Sequence, residues 1–222
     1  MSTERLGFLI GEDAINKLKS SKVAVIGLGG VGGVTAITLA RNGVGNLLIQ
    51  DFDIVNETNI NRQIIANYET IGKNKVDLVY EEVKRINPNI NVIALNERFD
   101  NESSLFNYEF DYLVDAIDSI DDKYLLIKTC LKNDVKFISS MGAAKKMDQT
   151  KLSVMEIKKT TYDPLAKILR KRLRDEAIYD KIIVGSSIEK PRDIPKLGSY
   201  MPVTASMGLL LADYIIKKII EE

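Results

Sequence analysis

The segment VAVIGLGGVGG, Val23 to Gly33, restricts the possible folds more than any other stretch of the chain. A run of β-branched residues stops at clustered glycines, and apolar residues at helical spacing follow. Gly27, Gly29 and Gly32 stand in G-x-G-x-x-G order between the two patterns. In such a step the first glycine permits a tight turn, the second lets backbone approach phosphate, and the third lets helix pack on strand. Asp51 lies 19 residues past Gly32, at the end of the next apolar run, where a ribose-binding acid is expected. Taken alone, these features indicate an adenine nucleotide, most often a dinucleotide. A glycine turn without a ligand would leave the acid unexplained.

The rest of the chain repeats the rhythm. Short apolar runs at Val23–Ile26, Leu47–Ile49, Val92–Leu95, Tyr112–Val114 and Val135–Ile138 predict five strands. Helical spacing over Gly30–Asn42, Lys73–Ile86 and Asp121–Asn133 fills the gaps. Alternating strands and helices predict an α/β, Rossmann-like fold, a mainly parallel sheet with helices on both faces. Ser119 and Asp122 suit a helix start, Asn42-Gly43 a helix stop, and Asn87-Pro88 another. After residue 140 the pattern changes. We expect a strand at Lys151–Ile157, a basic amphipathic helix over Asp163–Ala177 and a strand at Ile182–Val184. A long connection over Gly185–Tyr200 and a final apolar helix over Met201–Ile220, with Pro202 in its first turn, complete the chain. The expected organisation is one domain, 1–222, with a nucleotide-binding part (1–140) and a C-terminal elaboration (141–222).

Composition excludes whole classes of chemistry. Histidine is absent, which closes imidazole-dependent hydrolysis and most catalytic zinc sites. The single cysteine, Cys130, excludes an internal disulfide and a four-thiolate zinc site, and suits a reducing cytoplasm. No apolar leader opens the chain, and no apolar run reaches the ~18 residues of a membrane span. Lys plus Arg and Asp plus Glu are both 31, but residues 141–200 hold 14 basic and 8 acidic side chains, a local +6. That excess suits a polyanion partner; a solvated helix face explains it equally simply.

The ligand is narrowed by DFDIVNETNINRQ, Asp51 to Gln63. Asp51 and Asp53, with several asparagines and Arg62 just past the second strand, have no use in a nicotinamide site. A triphosphate uses them: an arginine fork binds its oxygens and amides position them. Lys73 and Lys75 open a helix whose positive end also favours anions. DAIDS then brings Asp115 and Asp118 to the carboxyl end of a buried strand, where a carboxylate suits Mg²⁺ carried with phosphate.

With GLGGVG (27–32), DFDIVNETNINRQ (51–63), GKNK (72–75), RINPNI (85–90) and DAIDS (115–119), the chain resembles the ubiquitin-activating-enzyme-like adenylyltransferases. The resemblance implies ATP and Mg²⁺, and attack of a substrate carboxylate on the α-phosphorus to give an acyl-adenylate. It implies Gly27, Gly29, Gly30 and Gly32 at the phosphates, and Asp51 at the ribose. Within the same motifs, Asp53 and Ser119 are further expected nucleotide-binding residues. It further implies Asn59 and Arg62 on phosphate oxygens, Lys75 at the α-phosphate and Asp118 on the metal. Arg5 aligns with an arginine that related homodimers lend to the neighbouring subunit's ATP; its plainer reading is an exposed terminal charge.

Two absences refine the comparison. Relatives that activate ubiquitin or sulfur-carrier proteins usually carry two CxxC pairs for structural zinc, which this chain lacks. Cys130, in KTCLKN, sits where a cysteine is usually a buried small hydrophobe. TTYDPLAKILRKRLRDE (160–176), SSMGAAKKMDQTKLSV (139–154) and LGSYMPVTASMGLLLADYIIKKI (197–219) resemble the tRNA threonylcarbamoyladenosine dehydratases within the family. That resemblance implies a tRNA partner, with the threonyl carboxylate activated and then closed into a ring, and it admits a sulfur-relay protein partner. Some relatives carry a cysteine in the later loop, whereas this chain reads IIVGSSIEKP and is shorter there. Lys167, Arg170, Lys171, Arg172 and Arg174, with Lys145, Lys146, Lys158 and Lys159, are the expected phosphate contacts on the tRNA. The competing expectations are activation of a sulfur-carrier protein's C-terminal carboxylate, nicotinamide-dependent redox chemistry, and a catalytically silent nucleotide-binding scaffold.

Overall fold

Parallel strands cannot be joined by tight turns, so each needs a crossover, and in this chain most crossovers carry an α-helix. A computed structural model describes residues 2–221. Strands β1 (Lys22–Ile26), β2 (Asn46–Gln50), β3 (Asn91–Leu95), β4 (Tyr112–Asp115), β5 (Lys136–Ser140), β6 (Leu152–Glu156) and β7 (Ile183–Ser187) form one sheet in the order β3-β2-β1-β4-β5-β7-β6. All pairings are parallel except β6 with β7. The α/β, mainly parallel architecture expected from the sequence is the one observed.

Helices α1 (Glu4–Ile10) and α2 (Glu12–Ser20) precede β1. Next come α3 (Gly32–Arg41), α4 (Lys75–Ile86), α5 (Ile120–Lys132), α6 (Pro164–Asp175) and α7 (Met201–Glu221). Strand alternation distributes them over two faces. Val23 and Val25 join α3, α4 and α7 in one apolar cluster, while Ala24 and Ile26 join Leu126 and Cys130 of α5 in another. A third cluster seats α6 against α5 and β7. Among the described residues no helix is long and apolar enough to cross a membrane.

The boundaries differ from expectation where local hydrogen bonding overrides propensity. Val135 is not in β5: its N–H donates to the Cys130 carbonyl (2.9 Å), closing α5 through Asp134 at φ 53°. Residues 30 and 31 stay outside α3 because they form the turn between strand and helix. Lys73 also stays outside its helix, since its carbonyl accepts from Val55 N–H (2.9 Å). The expected connection from Gly185 begins three residues later, because GSS continues β7.

Chain order places the site. β1 leads to β2 on one side, whereas β4 pairs with β1 on the other, so the direction of winding reverses between β1 and β4. Ligands of open α/β sheets gather in the crevice at such a point, beyond the carboxyl ends of the strands.

Candidate functional site

A cavity of about 1050 Å³ occupies that crevice. Gly27, Gly29, Gly30, Asp51, Asp53, Asn59, Arg62, Lys75 and Asp118 all line it. Gly27 has φ 85°, and a Cβ there would lie 2.8 Å from the Ala116 carbonyl oxygen on the neighbouring strand's exit. Glycine is thus required by both conformation and space. At Gly30 a Cβ would come within 2.9 Å of the Arg62 carbonyl and 3.2 Å of Thr204 Oγ1, so the turn is fitted between two other segments.

Asp51 ties this turn to β2. Its Oδ2 accepts the Leu28 N–H (2.6 Å) and its Oδ1 accepts the Asp53 N–H (2.7 Å). Burial raises its carboxyl above the usual aspartate range, although both backbone donors and Lys75 oppose the shift. Each carboxylate oxygen can take a second donor, so the acid can still receive ribose hydroxyls. Lys75 opens α4 with only 7% of its side chain exposed, and its Nζ donates to Asp53 Oδ2 at 2.7 Å. Lys73, two residues earlier, is exposed and does not line the cavity.

The asparagine-rich segment forms a 3₁₀ turn, Glu57–Asn59, in which Asn56 and Asn59 cap each other reciprocally. Asn59 is buried and its Oδ1 accepts the Asn56 N–H at 3.0 Å. Arg62 Nη1 donates to the Thr58 carbonyl (2.8 Å) and Asn61 Oδ1 (3.2 Å), which fixes one edge of the guanidinium. Gln63 ends the same motif, and nothing in the sequence alone marks it as functional. It lines the cavity while only 5% exposed, and its Oε1 is buried with no partner. Its Nε2 lies 3.7 Å from where a Cβ of Gly29 would be. The Nε2 facing the glycine turn is a donor that suits an anionic oxygen, while the buried Oε1 can only accept and calls for a hydroxyl, N–H or cation; the folded structure alone reveals this.

The two acids of DAIDS separate. Asp118 is exposed within the cavity. Asp115 is fully buried: its Oδ2 accepts from Lys123 Nζ (2.7 Å) and Ser139 Oγ (2.5 Å), and its Oδ1 accepts the Ile117 N–H (3.0 Å). Burial drives the Lys123 ammonium below the ordinary lysine range, against the pull of Asp115. Asp115 is therefore committed to the fold and is not a metal ligand. Three other expected residues lie outside the lining. Ser119 caps α5, accepting from Asp122 N–H. Gly32 is packed on Gly27, whose carbonyl would lie 1.8 Å from an added Cβ. Arg5 is exposed on α1. Cys130 is fully buried in the core, and burial pushes its thiol up, so it offers no thiolate to the cavity.

The second half of the chain closes the cavity's other side with Ser140–Ala144, Pro164, Leu165 and Ile168 of α6, Leu197–Ser199, and Thr204 of α7. A buried ion pair holds this wall. Lys146 Nζ donates to the Gly142 carbonyl (2.6 Å) and to Asp163 Oδ2 (3.0 Å), while Asp163 Oδ1 accepts the Ala166 N–H at the start of α6 (3.0 Å). This corrects the expected basic surface. Lys146 is an interior residue. Arg170 donates to the Thr160 carbonyl, and Arg172 pairs with Asp121. Lys158, Lys159, Lys167, Lys171 and Arg174 remain exposed.

Among the described residues no group of three or more acidic, histidine or cysteine side chains could hold a metal ion by itself. The exposed carboxylate of Asp118 fits a magnesium ion that arrives on a triphosphate, since Mg²⁺ takes few protein ligands alongside phosphate oxygens.

The signature of the ThiF family matches residues 3–222. The chain belongs to the ThiF family. Its relatives in that family include a tRNA threonylcarbamoyladenosine dehydratase from Bacillus subtilis, 46% identical over 82% of this chain and 72% of that protein. The Escherichia coli protein of the same name is 36% identical over 76% of this chain and 63% of its own length. A crystal structure of the E. coli dehydratase in complex with ATP superposes with a TM-score of 0.92, at 32% identity, covering 97% of this chain and 92% of that one. A molybdopterin-synthase adenylyltransferase from Haemophilus influenzae is 34% identical over 72% of this chain and 66% of its own length.

Proposed function

We propose that this ThiF-family protein is an ATP-dependent tRNA threonylcarbamoyladenosine dehydratase. The observation that carries this reading is the likeness to the ATP-bound dehydratase over 97% of the chain, C-terminal half included. In the reaction, an oxygen of the threonyl carboxylate attacks the α-phosphorus of ATP and the bond to the β-phosphate oxygen breaks, releasing pyrophosphate. The carbamoyl nitrogen of the same side chain then attacks the activated carbonyl, and AMP leaves. The nucleoside has lost one water.

The residues suit this chemistry. A carboxylate is already ionised at neutral pH, so the absence of histidine removes nothing needed for the first step. What the step requires is positioning, with positive charge aimed where negative charge develops. Gly27, Gly29 and Gly30 admit the phosphates, and Asp51 receives the ribose. Asn59, Arg62 and Gln63 bind phosphate oxygens. Lys75, aimed by Asp53, serves the α-phosphate. Asp118 would hold magnesium, which neutralises phosphate charge when bound. Ser119 and Gly32 support the site from behind, as a helix cap and a packing contact. Ring closure needs no enzyme thiol, because the nucleophile belongs to the substrate.

Lys158, Lys159, Lys167, Lys171 and Arg174 are the proposed phosphate contacts for the tRNA. Arg5 acts across a homodimer: it lies outside its own chain's cavity, on a helix that exposes Phe8 (81%) and Leu9 (80%). The cytoplasm is the proposed location, where tRNA and a reduced Cys130 are both at home. The reading requires no sulfur-relay partner. It is tested by incubating the protein with threonylcarbamoylated tRNA and ATP and following the nucleoside by mass spectrometry. Loss of one water with AMP formation supports the function. Pyrophosphate exchange that instead needs a diglycine-ending carrier protein, and ignores tRNA, refutes it.

A further inference from the structure

We propose that Arg98 and Asp122 form a strap over the nucleoside end of the cavity, and that the guanidinium it holds flat is the platform on which the purine of ATP packs. The inference rests on the ATP reading above. Arg98 follows β3, and Asp122 lies in the first turn of α5, after β4. In the sheet, β3 and β4 are separated by β2 and β1. The pair therefore ties together segments that follow two non-adjacent strands, both lining the crevice.

The fork is bidentate: Arg98 Nε donates to Asp122 Oδ2 at 2.9 Å and Nη2 donates to Oδ1 at 3.0 Å. Such a planar pair fixes orientation as well as charge. Asp122 is well sheltered, with 13% of its side chain exposed, and a carboxylate in a helix's first turn is favoured by the dipole. The other anchor is also held. Glu97 Oε1 accepts from Ser103 Oγ (3.0 Å), Ser104 N–H (2.8 Å) and Ser104 Oγ (2.9 Å), which pins the segment that presents Arg98.

Two planar groups at this end of the cavity are half exposed. Arg98 keeps 52% of its side chain exposed, and Phe52, with 53% exposed, lies 5.8 Å from the guanidinium carbon. Both line the cavity, and Phe52 directly follows Asp51, the ribose acid. Phe52, Arg98 and Phe99 line the same cavity as Asp51, within which a base attached to that ribose would lie. A flat aromatic ring covers the exposed planes through stacking and cation–π attraction. The phosphates have their own cations in Arg62 and Lys75, and the charge of Arg98 is already balanced by Asp122, so a base is the better match.

Titration calorimetry with ATP and with inorganic tripolyphosphate separates the roles. Arg98→Met is expected to weaken ATP binding by about 3- to 30-fold, the range for a partly desolvated cation–π contact, while tripolyphosphate binding stays within about twofold. Asp122→Asn, which keeps shape but loosens the fork, is expected to shift ATP in the same direction. If Arg98→Met binds ATP like the parent protein, or loses tripolyphosphate in step with ATP, the platform is refuted. A parent protein that binds no ATP overturns the functional reading itself, so the two failures are distinguishable.

Discussion

Replacing Lys123 by methionine tests whether the buried charges beneath the cavity are coupled as the geometry implies. Lys123 and Asp115 are both fully buried, 2.7 Å apart, with Ser139 bridging them. Methionine fills the aliphatic volume and leaves a carboxylate with no counter-charge. Removing one partner of a buried pair costs about 3–5 kcal/mol. For a chain of this size each kcal/mol moves the melting temperature by about 2–4 °C, so the drop should fall between about 6 and 20 °C. The double variant Lys123→Met with Asp115→Asn removes both charges and keeps an acceptor for the Ile117 N–H. It should recover more than half of the loss, a coupling that a double-mutant cycle measures directly. Scanning calorimetry of the four proteins at neutral pH is the assay. A single variant within about 1 kcal/mol of the parent protein, or a double variant no better than the single, would refute the reasoning.

Asp118→Ala should abolish ATP-dependent product while leaving the melting temperature nearly unchanged, because the side chain is exposed and mutations of that kind shift stability by only about 0.5 kcal/mol; turnover at the parent rate would remove Asp118 from the mechanism. Lys75→Met should lower turnover by about 10²- to 10³-fold, the usual cost of losing one preorganised charge at a reacting oxygen, read from pyrophosphate release. Alanine at Lys167, Lys171 and Arg174 together should weaken tRNA binding and lower its log–log salt slope by up to about 3, whereas changing Arg170 or Arg172 mixes binding with lost packing. Burial raises the Asp51 carboxyl, so it takes up a proton at a higher pH than an exposed aspartate; ATP affinity should fall on acidification from that higher pH, and Asp51→Asn should flatten the profile in calorimetry.

The N-terminal half was legible because each of its signals is local. A β-branched run, a glycine turn and an acid at the next strand end sit at fixed spacing and meet at one cavity. The helix cap at Ser119 was legible for the same reason. What escaped depends on distant partners. Lysines such as Lys123 and Lys146 read as surface residues until Asp115 and Asp163 arrive from other elements. Gly185, Ser186 and Ser187 read as a loop, yet they finish a strand, because small residues there let Met207 and Leu211 of α7 lie against the sheet. Gln63 stood in view within its motif, but only its burial without a partner marks it.

The close approach of α7 to α3 has a further bearing on how such a protein can change. At Gly208 a single methyl group would stand 2.5 Å from the Val31 carbonyl, and Thr35 Oγ1 donates to the Gly208 carbonyl at 3.1 Å. Four residues earlier on the same helix, Thr204 bounds the cavity beside Gly30. The last helix is thus a bearing surface for the first turn, and the two cannot be exchanged independently. Residues 188–200, which connect β7 to α7, reach that joint at their end, where the Tyr200 carbonyl accepts the Thr204 N–H at 3.1 Å.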